Sequence, residues 1–133
     1  MTTTHKPRDI YNAAIQERKS DDPLKKRQAC EKGWLAVVEA IDEFLAENKI
    51  FIPKGTPDAH IKRSAALDEI VIRDPSMWEL RQKYFSIQGS LHGACFYGGQ
   101  DSPLHDQDLK RTVREILELT GHCDADIEDD SCK

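Results

Sequence analysis

The chain has 133 residues, 38% hydrophobic and 32% charged, with a formal charge of -5 and a mean hydropathy of -0.64. That is the length of one domain, and 7 glycines and 6 prolines exclude a fibrous or linker-like chain. No stretch approaches the roughly 18 apolar residues that a membrane helix needs, and the acidic balance argues against nucleic-acid binding driven by net charge, though not against a local basic site.

Charge is distributed unevenly. Residues 1–35 carry 8 basic and 5 acidic groups, residues 36–100 carry 7 and 9, and residues 101–133 carry 4 and 10. Prolines behind capping residues mark four helix starts: Asp22-Pro23, Thr56-Pro57, Asp74-Pro75 and Ser102-Pro103. A capping side chain accepts a free helix N–H, and proline at the first position has no N–H to leave unpaired. A fifth start lies near Pro7.

The first helix holds Ile10, Tyr11, Ala14 and Ile15. Basic Lys25-Lys26-Arg27 opens the second, where it reads as a solvated face or a phosphate contact. Cys30, Trp34, Val37, Val38, Ile41, Phe44 and Leu45 then form a wide apolar stripe to about Glu47. That helix is about 25 residues, roughly 37 Å. After Pro57 the stripe is Ala59, Ala66, Leu67, Ile70 and Val71, interrupted by Arg63. After Pro75 it is Leu80, Tyr84, Ile87, Leu91 and Cys95, stopped by Gly98-Gly99. After Pro103 it is Leu109, Val113, Ile116 and Leu117, stopped by Gly121. Nothing alternates with strand period. The expected fold is therefore all-α: an up-down antiparallel bundle of four main helices plus a short N-terminal helix, because short loops make consecutive helices antiparallel neighbours. The expected organisation is a single domain over residues 1–121 and an acidic, mobile tail over residues 122–133.

Cys30 and Cys95 fall on apolar stripes and read as reduced, inert core thiols. With no secretory segment at the N-terminus, the expectation is a cytoplasmic protein. Cys123 and Cys132 lie in the tail with His122, Asp124 and Asp126, but the ligand spacings of a metal site are missing, so no metal or cofactor is expected. Asp42-Glu43 and Asp68-Glu69 are adjacent pairs pointing apart and read as surface. Ser86, Gly89, Ser90, Gly93 and Ala94 make a run of small residues, read first as tight packing on the second helix.

The richest chemistry lies in Leu91-His92-Gly93-Ala94-Cys95-Phe96-Tyr97-Gly98-Gly99. Upstream, Arg81, Tyr84 and Gln88 continue toward His92 at helical spacing. This polar row is suited to a phosphate or a base edge, or to structural hydrogen bonds at a helix end. Tyr84, Gln88, His92, Tyr97 and Trp34 are the candidate binding residues. His92 and Arg81 are the candidate catalytic ones.

The second-helix segment Ala29-Cys30-Glu31-Lys32-Gly33-Trp34-Leu35-Ala36-Val37-Val38-Glu39-Ala40, followed by the Leu91-to-Gly99 motif, resembles the HEPN-like superfamily of helical bundles, in its archaeal and bacterial branch with an LHGxxFY-type end to helix four. The likeness spans Pro7 to Leu119. It implies a homodimer and, in many members, metal-independent ribonuclease activity through an R-x(4–6)-H motif. Other members partner nucleotidyltransferases, and some bind without catalysis. Here ten residues separate Arg81 from His92, seven separate Arg114 from His122, and His105 has no arginine at the required distance. The expectation is a dimeric binding or interaction module without a clear catalytic motif. The alternatives are a divergent ribonuclease using His92 with Arg81, Tyr84 or Tyr97, and a nucleotide or small-molecule binder with a pocket near Trp34, Tyr84 and His92.

Overall fold

The structure is a computed structural model and describes residues 6–122. Among the described residues the chain is all-helical, with no strand. The helices are α1 (Pro7–Arg18), α2 (Pro23–Glu47), α3 (Ala59–Arg73), α4 (Trp78–Ile87), a π-helical segment π1 (Gln88–Tyr97), α5 (Pro103–Gln107), a second π-segment π2 (Asp108–Val113) and α6 (Arg114–Leu119). A 3₁₀ turn, Pro75–Met77, leads into α4. Since α4 runs on into π1, and α5 through π2 into α6, the described residues make five rods.

Three of the four proline-marked starts carry the expected cap. Asp22 accepts from the Leu24 N–H at 3.0 Å, Asp74 from Ser76 at 3.1 Å and Ser102 from Leu104 at 3.2 Å. The fourth differs. Helix α3 opens at Ala59, behind Asp58 in the left-handed conformation (φ 55°) and without a side-chain cap. Thr56 instead bonds back to the Pro53 carbonyl, closing a turn before the helix. At the other ends, Gly99 (φ 67°) and Gly121 (φ 89°) take up the left-handed conformation that terminates a helix.

Helix α2 is the central element. It packs on α1 and π1 most extensively, and also on α3, π2 and α6. Its stripe of Cys30, Trp34, Val37, Ile41 and Leu45 is buried, and so are the small residues Ala29, Gly33, Ala36 and Ala40 beside it. The small set lets neighbours approach on a second side. A Cβ on Gly33 would stand 2.5 Å from Leu109 Cδ1 and 3.2 Å from Leu91 Cδ1. The close approach therefore belongs to Gly33, not to the small residues of the fourth rod. A Cβ at Gly89 would meet open space, and one at Gly93 only the Gln88 carbonyl of its own segment. Around α2, the fully buried Ile41, Leu45, Leu67, Leu80, Ile87, Leu91, Leu109, Ile116 and Leu117 build the core, each contributing about 1.5–3 kcal/mol by leaving water.

Cys30 and Cys95 are joined by a disulfide between α2 and π1. This corrects the expectation of reduced core thiols. Both lie on apolar stripes as read, but the two stripes face each other and bring the sulfurs together. Closing a loop over a separation of 65 residues is worth about 4 kcal/mol in the chain-entropy picture.

Candidate functional site

The Leu91-to-Gly99 motif occupies π1 and its end. This segment is held by bonds reaching back five residues or more: the Gly98 N–H bonds the Gly93 carbonyl at 2.8 Å and the Gln100 N–H bonds the Ala94 carbonyl at 3.0 Å. Wide-turn segments of this kind are rare and are frequently found at functional sites. Gly89, Ser90 and Gly93 are weak α-formers, which lowers the cost of departing from α-geometry here.

Contacts between α2 and the fourth rod run in opposite chain directions: Arg27 with Phe96, Cys30 with Cys95, Glu31 with His92, Trp34 with His92 and Tyr84. This register places His92 against Glu31. Its Nδ1 lies 3.0 and 3.1 Å from the two carboxylate oxygens. A carboxylate on Nδ1 favours the tautomer with the proton there and leaves Nε2 as an acceptor. His92 is half-buried, and aromatic rings surround it. Trp34 lies at 5.3 Å, Tyr97 at 4.9 Å edge-on, and Phe96 at 6.5 Å nearly parallel. Tyr97 is 69% exposed, so the cluster opens to solvent on that side.

The rest of the polar row disperses. Arg81 turns to Asp68 of α3 and stacks against Trp78 and Phe85, its guanidinium carbon 5.2 and 4.8 Å from the ring centres. Tyr84 is fully buried against Trp34, so the row is broken in its middle. Gln88 is half-buried. Trp34, Tyr84 and His92 do converge: the Trp34 ring lies 5.3 Å from each of the other two. A broad depression of about 770 Å³ lies elsewhere, between α1 and the start of α2, lined by Ala13, Gln16, Glu17, Lys19, Ser20 and Lys25.

Several carboxylates read as surface are ion-pair partners of buried or half-buried arginines. Asp42 holds Arg63 through two bonds of 2.6 and 3.0 Å, and Asp68 holds Arg81. Arg63 lies beside Tyr84 at the core. Burial works against the guanidinium charge there, yet Asp42 overrides it and raises the Arg63 pKa. Burial pushes the Tyr84 phenol up, and the Arg63 charge pulls it partly back. Among the described residues the Tyr84 hydroxyl makes no hydrogen bond of good geometry, although the Arg63 guanidinium is near enough to act on it. The basic run at the start of α2 is also more than a wet face. Arg27 donates through Nε and Nη2 to the Phe96 carbonyl at 3.1 and 2.6 Å, and Lys26 lies 3.9 Å from Asp101.

Two site residues had no role at the sequence level. Glu31 lies inside the quoted α2 segment, and only the opposed register of α2 and π1 reveals its partner. Arg18, at the end of α1, is buried and reaches four oxygens and both disulfide sulfurs. Cys123, Asp124, Asp126 and Cys132 lie outside the described residues, and among the described residues no group of three or more potential metal-binding side chains occurs. No described helix is long and apolar enough to cross a membrane. Comparison with protein-family models, with curated proteins and with solved structures found no match to this chain.

Proposed function

We propose that this chain is a non-catalytic, HEPN-like interaction module: an up-down antiparallel bundle that pairs with a second copy and presents the His92–Phe96–Tyr97 end as its contact surface. The observation that carries this reading is the separate commitment of the two residues a nuclease needs together. Arg81 is held by Asp68 on α3, His92 by Glu31 on α2. Eleven positions apart on one rod, they stand about 16 Å apart along the axis at about 1.5 Å per residue, too far to serve one phosphodiester. What remains open at the His92 end is aromatic surface, and exposed aromatic residues mark interfaces. The reading includes a cytoplasmic location, where a disulfide is sensing or transient rather than permanent. Sedimentation equilibrium at tens of micromolar tests it. A dimer weakened at least tenfold by Tyr97→Ser is expected, and a wild-type protein that stays monomeric overturns it.

One observation favours a second reading, a divergent metal-independent ribonuclease. Glu31 engages Nδ1 of a half-exposed imidazole and leaves Nε2 without a hydrogen bond, the arrangement of a general base. RNA cleavage in the presence of a chelator, abolished by His92→Ala, is the expected result on that reading. Cleavage unchanged in His92→Ala removes it.

A further inference from the structure

The Cys30–Cys95 disulfide does not sit in plain apolar surroundings. The buried Arg18 guanidinium covers it, with Nη1 3.7 Å from the Cys30 sulfur and 3.9 Å from the Cys95 sulfur. The same guanidinium donates to Asp106 at 2.6 Å, to Asp101 at 2.9 Å, and to the carbonyls of Lys26 and Ser102 at 3.3 and 3.4 Å. Asp101 and Ser102 belong to the link from π1 to α5, and Asp106 lies on α5. One cation therefore joins α1, the start of α2, this link and α5 over a pair of sulfurs that are fully buried. An inert structural staple has no need of a cation aimed at its sulfurs. A guanidinium at this distance stabilises the thiolate that leaves when a disulfide is attacked.

We propose that Cys30–Cys95 is a redox site that sets the order of the π1 end, and that Arg18 with Asp101 and Asp106 forms the latch controlling access to it. The reductant is a dithiol. Its thiolate attacks one of the two sulfurs once the latch opens, and the S–S bond breaks. The other cysteine departs with the electron pair as a thiolate beside Arg18. The second thiol of the reductant then attacks the mixed disulfide and releases the first cysteine. The cystine has gained two electrons, the reductant leaves as a disulfide, and its two protons end on the two cysteines. The consequence follows from the neighbours. Cys30 precedes Glu31, and Cys95 lies one turn beyond His92, so the staple fixes the register that seats His92 on Glu31. Regulation of binding by this site rests on the interaction reading above; the redox chemistry itself is tested without any partner.

Peptide mapping of the full chain after thiol alkylation tests the pairing first: a Cys30–Cys95 crosslink, formed under a mild thiol oxidant and lost with dithiothreitol, is expected. Alkylation of both Cys30 and Cys95 after oxidant treatment overturns the proposal. Amide hydrogen exchange of the oxidised and reduced chain is the second measurement. Reduction is expected to speed exchange in residues 92–101 at least tenfold and to leave residues 59–73 unchanged; equal exchange in residues 92–101 overturns it. The third is the rate of reduction by dithiothreitol. The Asp101→Asn/Asp106→Asn variant, with both carboxylates substantially exposed in the folded chain, is expected to react several-fold faster, and the single Asp101→Asn variant serves if the double variant does not fold. An unchanged rate overturns the latch. A chain that passes these three tests while remaining monomeric separates failure of the interaction reading from failure of the redox site.

Discussion

His92 Nδ1 faces both carboxylate oxygens of Glu31, at 3.0 and 3.1 Å. The pair ties the motif-bearing π1 to α2 one position beyond the disulfide, so a covalent and a polar link share one turn of α2. Both partners keep some contact with water, which places the interaction between an exposed and a buried ion pair. Glu31→Gln keeps an oxygen acceptor for the ring N–H, whereas Glu31→Ala leaves the ring without one. Urea denaturation should find Glu31→Ala less stable than Glu31→Gln by about 1 kcal/mol, the net worth of a typical hydrogen bond. Equal stabilities would mean that the ring is oriented by Trp34, Phe96 and Tyr97 alone.

Gly33 and Gly89 should respond in opposite directions to the same change. Alanine gains about 1 kcal/mol of helix propensity at Gly33 in α2, and about 0.4–1 kcal/mol at Gly89 in π1 by restricting the unfolded chain. At Gly89 nothing stands in the way of the new methyl group, so Gly89→Ala should raise the melting temperature. At Gly33 the methyl would lie 2.5 Å from Leu109 Cδ1. That atom is the end of a flexible side chain, but Leu109 is fully buried and has nowhere free to move. Overpacking costs about 1–3 kcal/mol, enough to cancel the propensity gain and leave Gly33→Ala neutral to destabilised. Thermal melts of the two variants check the contrast.

The helices were legible because their signals are local. Proline behind Asp or Ser marks three starts, and Pro23 with the stripe from Cys30 to Leu45 gives a helix of about 25 residues ending near Glu47, as the structure has α2. The α3 start was missed because Asp58 adopts a left-handed backbone that its residue type permits but does not announce. The π-segments were invisible because a period of three to four describes their buried positions as well as it describes an α-helix. At the site, His92 and Tyr97 stood out by type. Glu31, Arg18 and the Cys30–Cys95 bond depend on which helix faces which, information that no single helix carries. Asp42 and Asp68 looked solvated for the same reason: a neighbouring carboxylate can be read along the chain, while an arginine on another helix cannot.

Val37 tests the central position of α2. It is fully buried, in a stripe shared with Trp34, Ile41 and Leu45. Val37→Asp places an unpaired charge there at a cost of several kcal/mol, a large share of the roughly 5–15 kcal/mol that holds a domain folded. Circular dichroism should show loss of cooperative unfolding in this variant. Lys26→Ala, which gives up only a partly exposed contact 3.9 Å long, should melt like the parent within about 0.5 kcal/mol.

Lys83 lies 2.6 Å from Glu115 and 3.2 Å from Glu79, and Glu115 also receives Arg111 at 3.2 Å. The bond from Lys83, foremost, holds Glu115 below its ordinary 4.5. The folded chain thus binds that proton less readily than the unfolded chain. The resulting stabilisation is complete above 4.5 and is lost as pH falls through the lowered value. Lys83 shifts the other way, raised above 10.5 chiefly by the bond to Glu115. Its contribution is complete below 10.5 and is lost as pH rises beyond it. Glu115→Gln should therefore flatten the acid limb of a stability–pH curve, and Lys83→Met should flatten both limbs. Urea midpoints across the carboxylate and lysine ranges measure the effect. An acid limb unchanged in Glu115→Gln would assign it to other carboxylates.

Tyr84 offers a prediction whose sign runs against the usual cost of a core substitution. Its ring fills space against Trp34 and Phe85, while its buried hydroxyl makes no hydrogen bond of good geometry among the described residues. An unpaired buried hydroxyl carries a desolvation penalty of about 1–3 kcal/mol. Tyr84→Phe keeps the ring and removes that penalty, so the variant should be as stable as the parent or more stable by up to about 1 kcal/mol. Burial also raises the Tyr84 pKa above its ordinary 10.0, so the folded chain retains that proton and its stability drops as pH climbs past 10.0. Tyr84→Phe should remove this part of the alkaline loss while leaving the acid limb untouched. Arg63→Met is the counterpart. It leaves Asp42 without the two bonds that hold it and should cost about 1–3 kcal/mol. Denaturation of both variants at neutral and alkaline pH decides the matter. Tyr84→Phe destabilised by as much as Arg63→Met would mean that the hydroxyl is bonded in solution and that Arg63 is its donor.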